Sequence, residues 1–337
     1  MMNTMPLYSI LDLALVSEGQ TLTQTFNDTL ALAQHAENCG YTRYWLAEHH
    51  NSANIASSAT SVLIGYVAAG THTIKVGSGG VMLPNHSPLI IAEQFGTLGS
   101  LYPNRIDLGL GRAPGTDQAT AQAIRSDFMQ AAQSFPRELE SIQRYFSAEN
   151  TTAQVRATVA EGVNVPVYIL GSSTDSAHLA AKKGLPYAFA SHFASTHLME
   201  AISIYRNEFV ASSVLDKPYV IAGVNVIIAD TNAQAQALST SLIRMIVGLF
   251  TGKRAKVQPP IPMNAELEEI MKHPQVAQML KYSFIGSKAT VKKQIQAFIA
   301  DTNADELIAV TNIYAIEDRK RSYALFAEVM EELKLEI

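Results

Sequence analysis

The chain has 337 residues, of which 47% are hydrophobic and 16% are charged, and its formal net charge is −5 at pH 7. This composition is typical of a globular protein with a large core, and the acidic balance argues against the basic surface that nucleic-acid binding needs. The single cysteine, Cys39, excludes an intramolecular disulfide and indicates a reducing compartment. The first residues lack a signal-peptide pattern, and no apolar run approaches the roughly 20 residues that span a bilayer. We therefore expect a cytoplasmic protein that binds neither membranes nor nucleic acids.

Short apolar runs alternate with helical patterns along the chain, which is typical of a parallel α/β fold. The predicted strands are Leu7–Val16, Thr42–Ala47, Ile74–Leu83, Arg105–Gly111, Val165–Gly171, Tyr187–Ala190, Tyr219–Ala229 and Glu306–Thr311. The predicted helices are Leu22–Asn38, Ser57–Gly70, Pro88–Ser100, Asp127–Phe146, Ser176–Gly184, Thr196–Val214, Asn232–Leu249, Thr290–Thr302 and Glu317–Leu335.

Eight strand–helix units in alternation predict a parallel sheet, either closed into a barrel or open and doubly wound. The count of eight favours the closed barrel, so we expect one (β/α)8 TIM-barrel domain over residues 1–337. The proline-containing segment Thr251–Ser283 is predicted to be an irregular insertion over the barrel mouth. In such barrels the chemistry takes place where strands end and the following loops begin.

A carboxylate and two imidazoles, Glu48, His49 and His50, follow the second predicted strand. Because neighbouring residues on a strand face opposite ways, we expect Glu48 and His50 on one face and His49 on the other. Histidine exchanges a proton near neutral pH and a carboxylate can hold its tautomer, so the cluster suits acid–base catalysis. Two surface histidines beside a core ion pair are an equally valid interpretation. His86 and His192 follow other strands, but the spacing fits no metal motif and we expect no bound metal.

Glycines mark the third predicted strand, at Gly77, Gly79 and Gly80. Glycine allows the backbone to approach a flat ligand closely, although a bulged and tightly packed strand would need the same residues. The spacing does not match a dinucleotide-binding loop, because no helix starts directly after the glycines.

Arg112 lies among glycines after the fourth predicted strand. A guanidinium at a barrel mouth suits a phosphate, and an ion pair with Glu48 or Asp107 is the structural alternative.

Hydroxyl residues surround the start of the helix that follows the fifth predicted strand, namely Ser172, Ser173, Thr174 and Ser176. The backbone N–H groups and the dipole at a helix N-terminus favour a phosphate, whereas an ordinary N-cap needs one such residue. Asp175 would repel a phosphate, so we expect its side chain to face solvent.

These features, in their order and spacing, resemble the luciferase-like, flavin-dependent monooxygenase family over nearly the whole chain. The resemblance is carried by Gly40-Tyr41, Tyr44-Trp45, Glu48-His49-His50, Val76-Gly77-Ser78-Gly79-Gly80, Leu83-Pro84, Pro103-Asn104-Arg105, Gly109-Leu110-Gly111-Arg112, Gly171-Ser172-Ser173, Ser176, Gly184-Leu185-Pro186, Gly286 and Val291. The segment Arg112-Ala113-Pro114-Gly115-Thr116-Asp117 is similar to a broad bacterial branch of the family rather than to light-emitting luciferase, so the substrate pocket does not transfer.

The resemblance implies an eight-stranded α/β barrel that binds reduced FMN. Gly79-Gly80 would form a non-proline cis peptide beside the flavin ring, and Arg112, Ser172, Ser173 and Ser176 would hold the FMN phosphate. Glu48 would hydrogen-bond near the flavin, and His49 would match the catalytic histidine that moves a proton. The segment Thr251–Met279 would match the mobile loop of the family.

The expected function is a monooxygenase that uses reduced FMN and O2 on a small organic substrate. The alternatives are a reductase or dehydrogenase that uses FMN or the deazaflavin F420, and a non-catalytic flavin-binding protein. No NAD(P)H site is recognisable, so a separate flavin reductase is an expected partner. The resemblance also implies a homodimer.

Overall fold

Residues 5–253 and 255–336 are described by a computed structural model, in which parallel strands form one sheet. Eight of the strands pair in the order β6-β5-β4-β3-β2-β1-β9-β7, and β7 pairs with β6 to close the ring. The predicted eight-stranded barrel is therefore confirmed, and β8 extends the sheet by pairing with β7. The strands are β1 (Leu7–Asp12), β2 (Arg43–Leu46), β3 (Lys75–Met82), β4 (Ile106–Gly111), β5 (Val167–Gly171), β6 (Tyr187–Phe189), β7 (Val220–Ala229), β8 (Ser283–Ser287) and β9 (Glu306–Val310).

Helices follow the strands and cover the outside of the barrel. α1 begins after Thr21, whose hydroxyl accepts a hydrogen bond from the backbone of Gln24 in a capping box, and Gly40 beyond its end has a φ of 77°. None of the described helices is both long and apolar enough to cross a membrane. The helices are α1 (Leu22–Asn38), α2 (Thr60–Ala69), α3 (Pro88–Leu101), α4 (Gln118–Ile124), α5 (Phe128–Phe146), α6 (Thr174–Lys183), α7 (Leu198–Asn207), α8 (Asn232–Thr251), α9 (Ala265–Lys272), α10 (Pro274–Leu280), α11 (Lys288–Thr302) and α12 (Ile316–Lys334).

The first strand is shorter than predicted, because the chain turns after Asp12. Ala14 has a φ of 50°, and its backbone N–H donates to the carboxylate of Asp12 at 3.0 Å. A left-handed residue cannot continue a strand, so the apolar run that predicted Leu7–Val16 is wrong beyond Asp12. Helix α7 is likewise shorter than its predicted range, Thr196–Val214.

The segment Thr251–Ser283 was predicted to be irregular, and this was wrong for much of its length. It contains α9 and α10, and its last residue begins β8. The side chain of Asn264 caps α9 by accepting a hydrogen bond from the backbone of Leu267 at 2.9 Å. These elements are five to eight residues long and follow several prolines, so their sequence patterns are too short to stand out.

The same segment lies at the C-terminal end of the barrel strands, which we call the barrel mouth. Val257 pairs with Ser17 in the loop after β1, and Gln278 hydrogen-bonds to Ser195 in the loop after β6. Since both loops leave the C-terminal ends of barrel strands, the expected placement of the insertion agrees with these contacts.

The opposite end of the barrel interior holds a buried charge network that no sequence pattern indicated. Arg43 donates to Glu306 at 2.7 Å, to Asp107 at 2.6 Å and to the hydroxyl of Tyr168 at 2.8 Å, so it links β2 with β9, β4 and β5. Tyr219 donates to the second oxygen of Glu306 at 2.7 Å. Although burial acts to lower the pKa of Arg43, the two carboxylates raise it, so the guanidinium stays charged.

Arg43→Met should therefore destabilise the protein strongly, because it leaves two buried carboxylates without their cation. The expected loss is about 3–5 kcal/mol of unfolding free energy, measured by urea denaturation followed with circular dichroism. Arg321→Met is the matched control, because Arg321 forms an exposed pair with Asp230. Equal stability of the two variants would contradict the role given to the buried network.

Candidate active site

The alternation of faces along strand β2 determines which way the side chains of the polar residues after it point. Trp45 and Ala47 belong to the apolar cluster inside the barrel, whereas Leu46 packs in the core outside it. Alternation along the strand therefore directs His49 towards the interior of the mouth and Glu48 away from it.

Glu48 is only 1% exposed, and both of its carboxylate oxygens accept hydrogen bonds from protein groups. His50 donates from Nε2 at 2.8 Å and Asn85 from its amide at 2.9 Å, both to Oε1. The backbone N–H of Met82 donates to Oε2 at 2.9 Å, and Nε2 of His86 lies 3.0 Å from each oxygen. Glu48 and His50 thus meet on one face, as predicted.

This carboxylate is strongly stabilised in its charged form. Burial alone would raise the pKa of Glu48, but the hydrogen bonds from His50 and His86 outweigh burial and lower it to about 2. Because its oxygens are enclosed and already bonded, the geometry supports a positioning role, in which Glu48 fastens the end of β2 to the loop after β3. A direct part in the reaction stays a prediction.

His49 is partly buried and held by the loop that follows β4. Its Nδ1 lies 3.0 Å from the carbonyl oxygen of Gly115, and its backbone N–H donates to the carbonyl of Ser57 at 3.0 Å. A carbonyl can only accept, so Nδ1 carries a proton and Nε2 is the acceptor nitrogen of the neutral ring. A cavity of about 490 Å³ lies beside His49 and is lined by Asn51, Ser52, Ala53, Ile55 and Ser58.

The peptide bond between Gly79 and Gly80 is cis, as the resemblance implied. A Cβ on Gly79 would lie 2.6 Å from Leu11, and one on Gly80 would lie 2.8 Å from the carbonyl oxygen of Gly109. Both positions therefore need glycine for β3 to pack between its neighbours. A place for this peptide beside a flavin stays a prediction.

Arg112 is 51% exposed and pairs with Asp175 in the first turn of α6 at 3.0 Å. The two alternative ion pairs weighed for Arg112 are not formed, since Glu48 binds His50 and His86 while Asp107 binds Arg43. The side chain of Asp175 is 67% exposed and faces solvent, as expected.

The N-terminus of α6 brings the predicted phosphate-binding serines near Arg112. Ser173 is the N-cap residue, and its side chain makes no capping hydrogen bond within the described structure. Ser176 is partly committed elsewhere, because its hydroxyl donates to the carbonyl of Ser173 at 2.7 Å and lies 3.0 Å from the hydroxyl of Tyr187. Ser172 is exposed just before the helix. An anion at this point would meet free backbone N–H groups and a guanidinium.

Three residues of the site were not assigned a role from the sequence. Asn85 and His86 complete the contacts of Glu48, and the only available signal was their position directly after β3. His192 follows β6 at the mouth, where burial and, to a smaller extent, an electrostatic interaction with His49 lower its pKa to about 4.

Parallel barrels of this kind place their chemistry at the C-terminal ends of the strands, where the titratable side chains described above are gathered. The model of the family described as luciferase-like monooxygenase matches residues 8–306. The chain belongs to this luciferase-like monooxygenase family.

Several relatives match along almost their whole length. A luciferase-like monooxygenase of Escherichia coli (strain K12) is 47% identical, with 97% of each chain covered. An N-acetyl-S-alkylcysteine monooxygenase of Bacillus subtilis (strain 168) is 32% identical over 96% of this chain and 97% of its own. The structure of apo-MsnO8 superposes with a TM-score of 0.87 at 33% identity, covering 97% of this chain and 98% of that one.

Two more distant structures share the fold and differ in cofactor. The oxygenating constituent of 3,6-diketocamphane monooxygenase from Pseudomonas putida, in complex with FMN, gives a TM-score of 0.75 at 16% identity, with 98% of each chain covered. An F420-dependent secondary alcohol dehydrogenase gives 0.71 at 13% identity, covering 97% of this chain and 98% of that one.

Glu48→Gln should make the stability of the protein less dependent on acidic pH. Because folding lowers the pKa of Glu48 from 4.5 to about 2, its stabilisation is present above the unfolded pKa and is lost as the pH falls from 4.5 towards 2. The difference in unfolding free energy between wild type and Glu48→Gln should shrink by about 3 kcal/mol over this window, as measured by urea denaturation at a series of pH values. Glu269→Gln, at a 76% exposed position, should follow the wild type. A pH-independent difference would show that the carboxylate is not held ionised.

Proposed function

We propose that this protein is a flavin-dependent monooxygenase that uses reduced FMN and molecular oxygen to oxidise a small organic substrate. The observation that carries the proposal is the grouping of His49, the Gly79–Gly80 peptide and Arg112 on the neighbouring strands β2, β3 and β4 at one barrel mouth. When bound, the reduced flavin supplies the electrons that activate oxygen.

Arg112 and the first turn of α6 are the groups that would hold the FMN phosphate. A guanidinium forms charge-assisted hydrogen bonds to phosphate, and the uncapped N–H groups after Ser173 add to the attraction. The exposed ion pair between Arg112 and Asp175 is weak, so a phosphate can compete with Asp175 for the guanidinium.

His49 is the group proposed to move a proton. Its Nδ1–H bond to Gly115 fixes the ring so that Nε2 accepts a proton on the interior side of the mouth. Glu48 holds the amide of Asn85, which also donates to the carbonyl of Pro114 next to Gly115 in the loop that positions this ring. The proton transfer thus depends on a ring that the loop after β4 orients and that Glu48 keeps in place.

A second candidate function is a reductase or dehydrogenase that uses the deazaflavin F420 or FMN without oxygen incorporation. The likeness to an F420-dependent alcohol dehydrogenase favours it, because the same barrel accommodates that cofactor in another protein. Incorporation of labelled oxygen from O2 into the product separates the two functions. A flavin-binding protein without activity would bind FMN and turn over no substrate.

The same proposal extends to the compartment, the domain, the source of reduced flavin and the oligomeric state. The protein acts in the cytoplasm as one domain over residues 1–337 and receives reduced flavin from a separate reductase.

We propose a homodimer through the outer face of α2 and α3, where Val62 is 68% exposed, Tyr66 39% and Ile90 47%. Helix α2 is apolar on its outer as well as its inner face, which is typical of a covered helix.

Arg112→Ala should weaken reduced FMN binding about 10–100-fold, which corresponds to the loss of a charge-assisted hydrogen bond. Riboflavin lacks the phosphate, so its affinity should change little in the same variant. Anaerobic flavin titration followed by absorbance measures both, with Arg144→Ala on the surface of α5 as the control. An equal loss for riboflavin would place Arg112 away from the phosphate, and failure of the wild type to bind any flavin would favour F420.

His49→Ala should lower the turnover number about 10²–10⁴-fold, as expected for loss of a general acid–base, with reduced FMN affinity unchanged. His49→Asn keeps a donor for Gly115 but lacks Nε2, so it should be as impaired as His49→Ala. Turnover is measured first with N-acetyl-S-methylcysteine, a thioether of the class named for the Bacillus subtilis relative. Full activity of His49→Asn would exclude the proposed proton transfer at Nε2.

A further inference from the structure

His192 lies on the wall of the mouth that faces His49. His49 follows β2 and His192 follows β6, and these strands are four steps apart in either direction round the ring of eight. The two imidazoles interact electrostatically, which indicates that they lie near each other at the same opening.

The ring of His192 occupies space that Gly223 leaves open on the inner face of β7. Ile221, two residues earlier on the same face, belongs to the apolar cluster inside the barrel. A methyl group added to Gly223 would lie 2.6 Å from Nδ1 of His192. The hydroxyl of the neighbouring Ser191 donates to the carbonyl of Gly223 at 2.6 Å. The ring is thus built into the barrel interior and is only partly buried.

The surroundings of the ring determine its tautomer. Nδ1 is buried and finds no hydrogen-bond partner among the described residues. A proton there would be an unpaired buried donor, so the neutral ring carries its proton on Nε2. Burial and His49 hold the pKa of His192 at about 4, so the ring is uncharged near neutral pH.

The backbone of His192 is held by a side-chain amide of β7, which in turn contacts a second amide after β9. Asn225 of β7 donates to the carbonyl of His192 at 2.5 Å and to the hydroxyl of Ser283 at 3.1 Å. Asn312, after β9, donates to Asn225 at 3.4 Å, and its own carbonyl oxygen is buried without a partner in the described structure. This network positions the ring before any ligand arrives, which lowers the entropy lost on binding.

We propose that His192 is a substrate-contacting residue that donates its Nε2–H to an uncharged oxygen acceptor of the organic substrate, on the wall opposite His49. This inference rests on the proposed function. His49 offers an acceptor nitrogen, and His192 offers a donor N–H. A substrate bound between them can therefore pass a proton to His49 and accept a hydrogen bond from His192. In this arrangement His192 contacts the substrate, and Arg112 keeps its proposed role at the cofactor.

The test observes the ring nitrogens of His192 in the flavin-free, 15N-labelled full chain, with the signals assigned through His192→Phe. The probe is N-methylacetamide, an uncharged amide acceptor. The expected result is a neutral ring with its proton on Nε2 near neutral pH, and signals of Nε2 that move as the probe is added. A proton on Nδ1, a charged ring, or signals unchanged by the probe would overturn the proposal.

Kinetics provide a second readout that a merely structural residue would not show. His192→Phe fills the same space beside Gly223 but cannot donate, so KM for the substrate should rise about tenfold, with reduced FMN affinity unchanged. His192→Gln retains a donor and should recover part of the loss. A parallel loss of FMN affinity in His192→Phe would move the residue to the cofactor and overturn the assignment. Failure of the proposed function is distinguishable, because the wild type would then bind no reduced FMN while the flavin-free ring signals still respond to the probe.

Discussion

The buried cation Arg43 is the constraint on which the barrel depends. It joins β2, β4, β5 and β9 at the end opposite the mouth. Apolar side chains alone would not specify which strands come together at this end. The charges are satisfied only when these strands take their observed register, so the network selects one closed ring over an open sheet. Because this network lies at the end opposite the mouth, the loops of the mouth can carry groups whose arrangement serves chemistry.

A second carboxylate, Glu48, connects this scaffold to the site. It lies one residue before His49 on the outer face of the same strand, and its bonds to Asn85 and His86 join two loops that would otherwise be independent. The two networks act in the same way, because a buried charge whose partners come from separate elements holds those elements together. At Arg43 the result is a closed barrel, and at Glu48 it is an oriented imidazole.

The fold could be predicted from the sequence because strand and helix patterns alternate in long, regular units. The same rule of alternating faces predicted that Glu48 and His50 would meet and that His49 would point the other way. The regular elements within Thr251–Ser283 could not be found, because short helices and one five-residue strand carry little periodic signal. The carboxylate partners of Arg43 are 64 and 263 positions away, at Asp107 and Glu306, and the loop that carries His192 is held by Asn225, 33 positions away. No local sequence pattern encodes these contacts.

The long strand β7 has a consequence for how such a protein can change. Its first half closes the barrel against β6 and β9, and its second half carries β8, while Gln278 of α10 holds the loop after β6. The insertion, β7 and the wall that bears His192 therefore form one block, and the residues proposed to hold the flavin belong to the other half of the ring. Substitutions in the first block therefore change residues other than Arg112 and the serines of α6, so a lineage can acquire a new substrate while keeping the residues of its cofactor site.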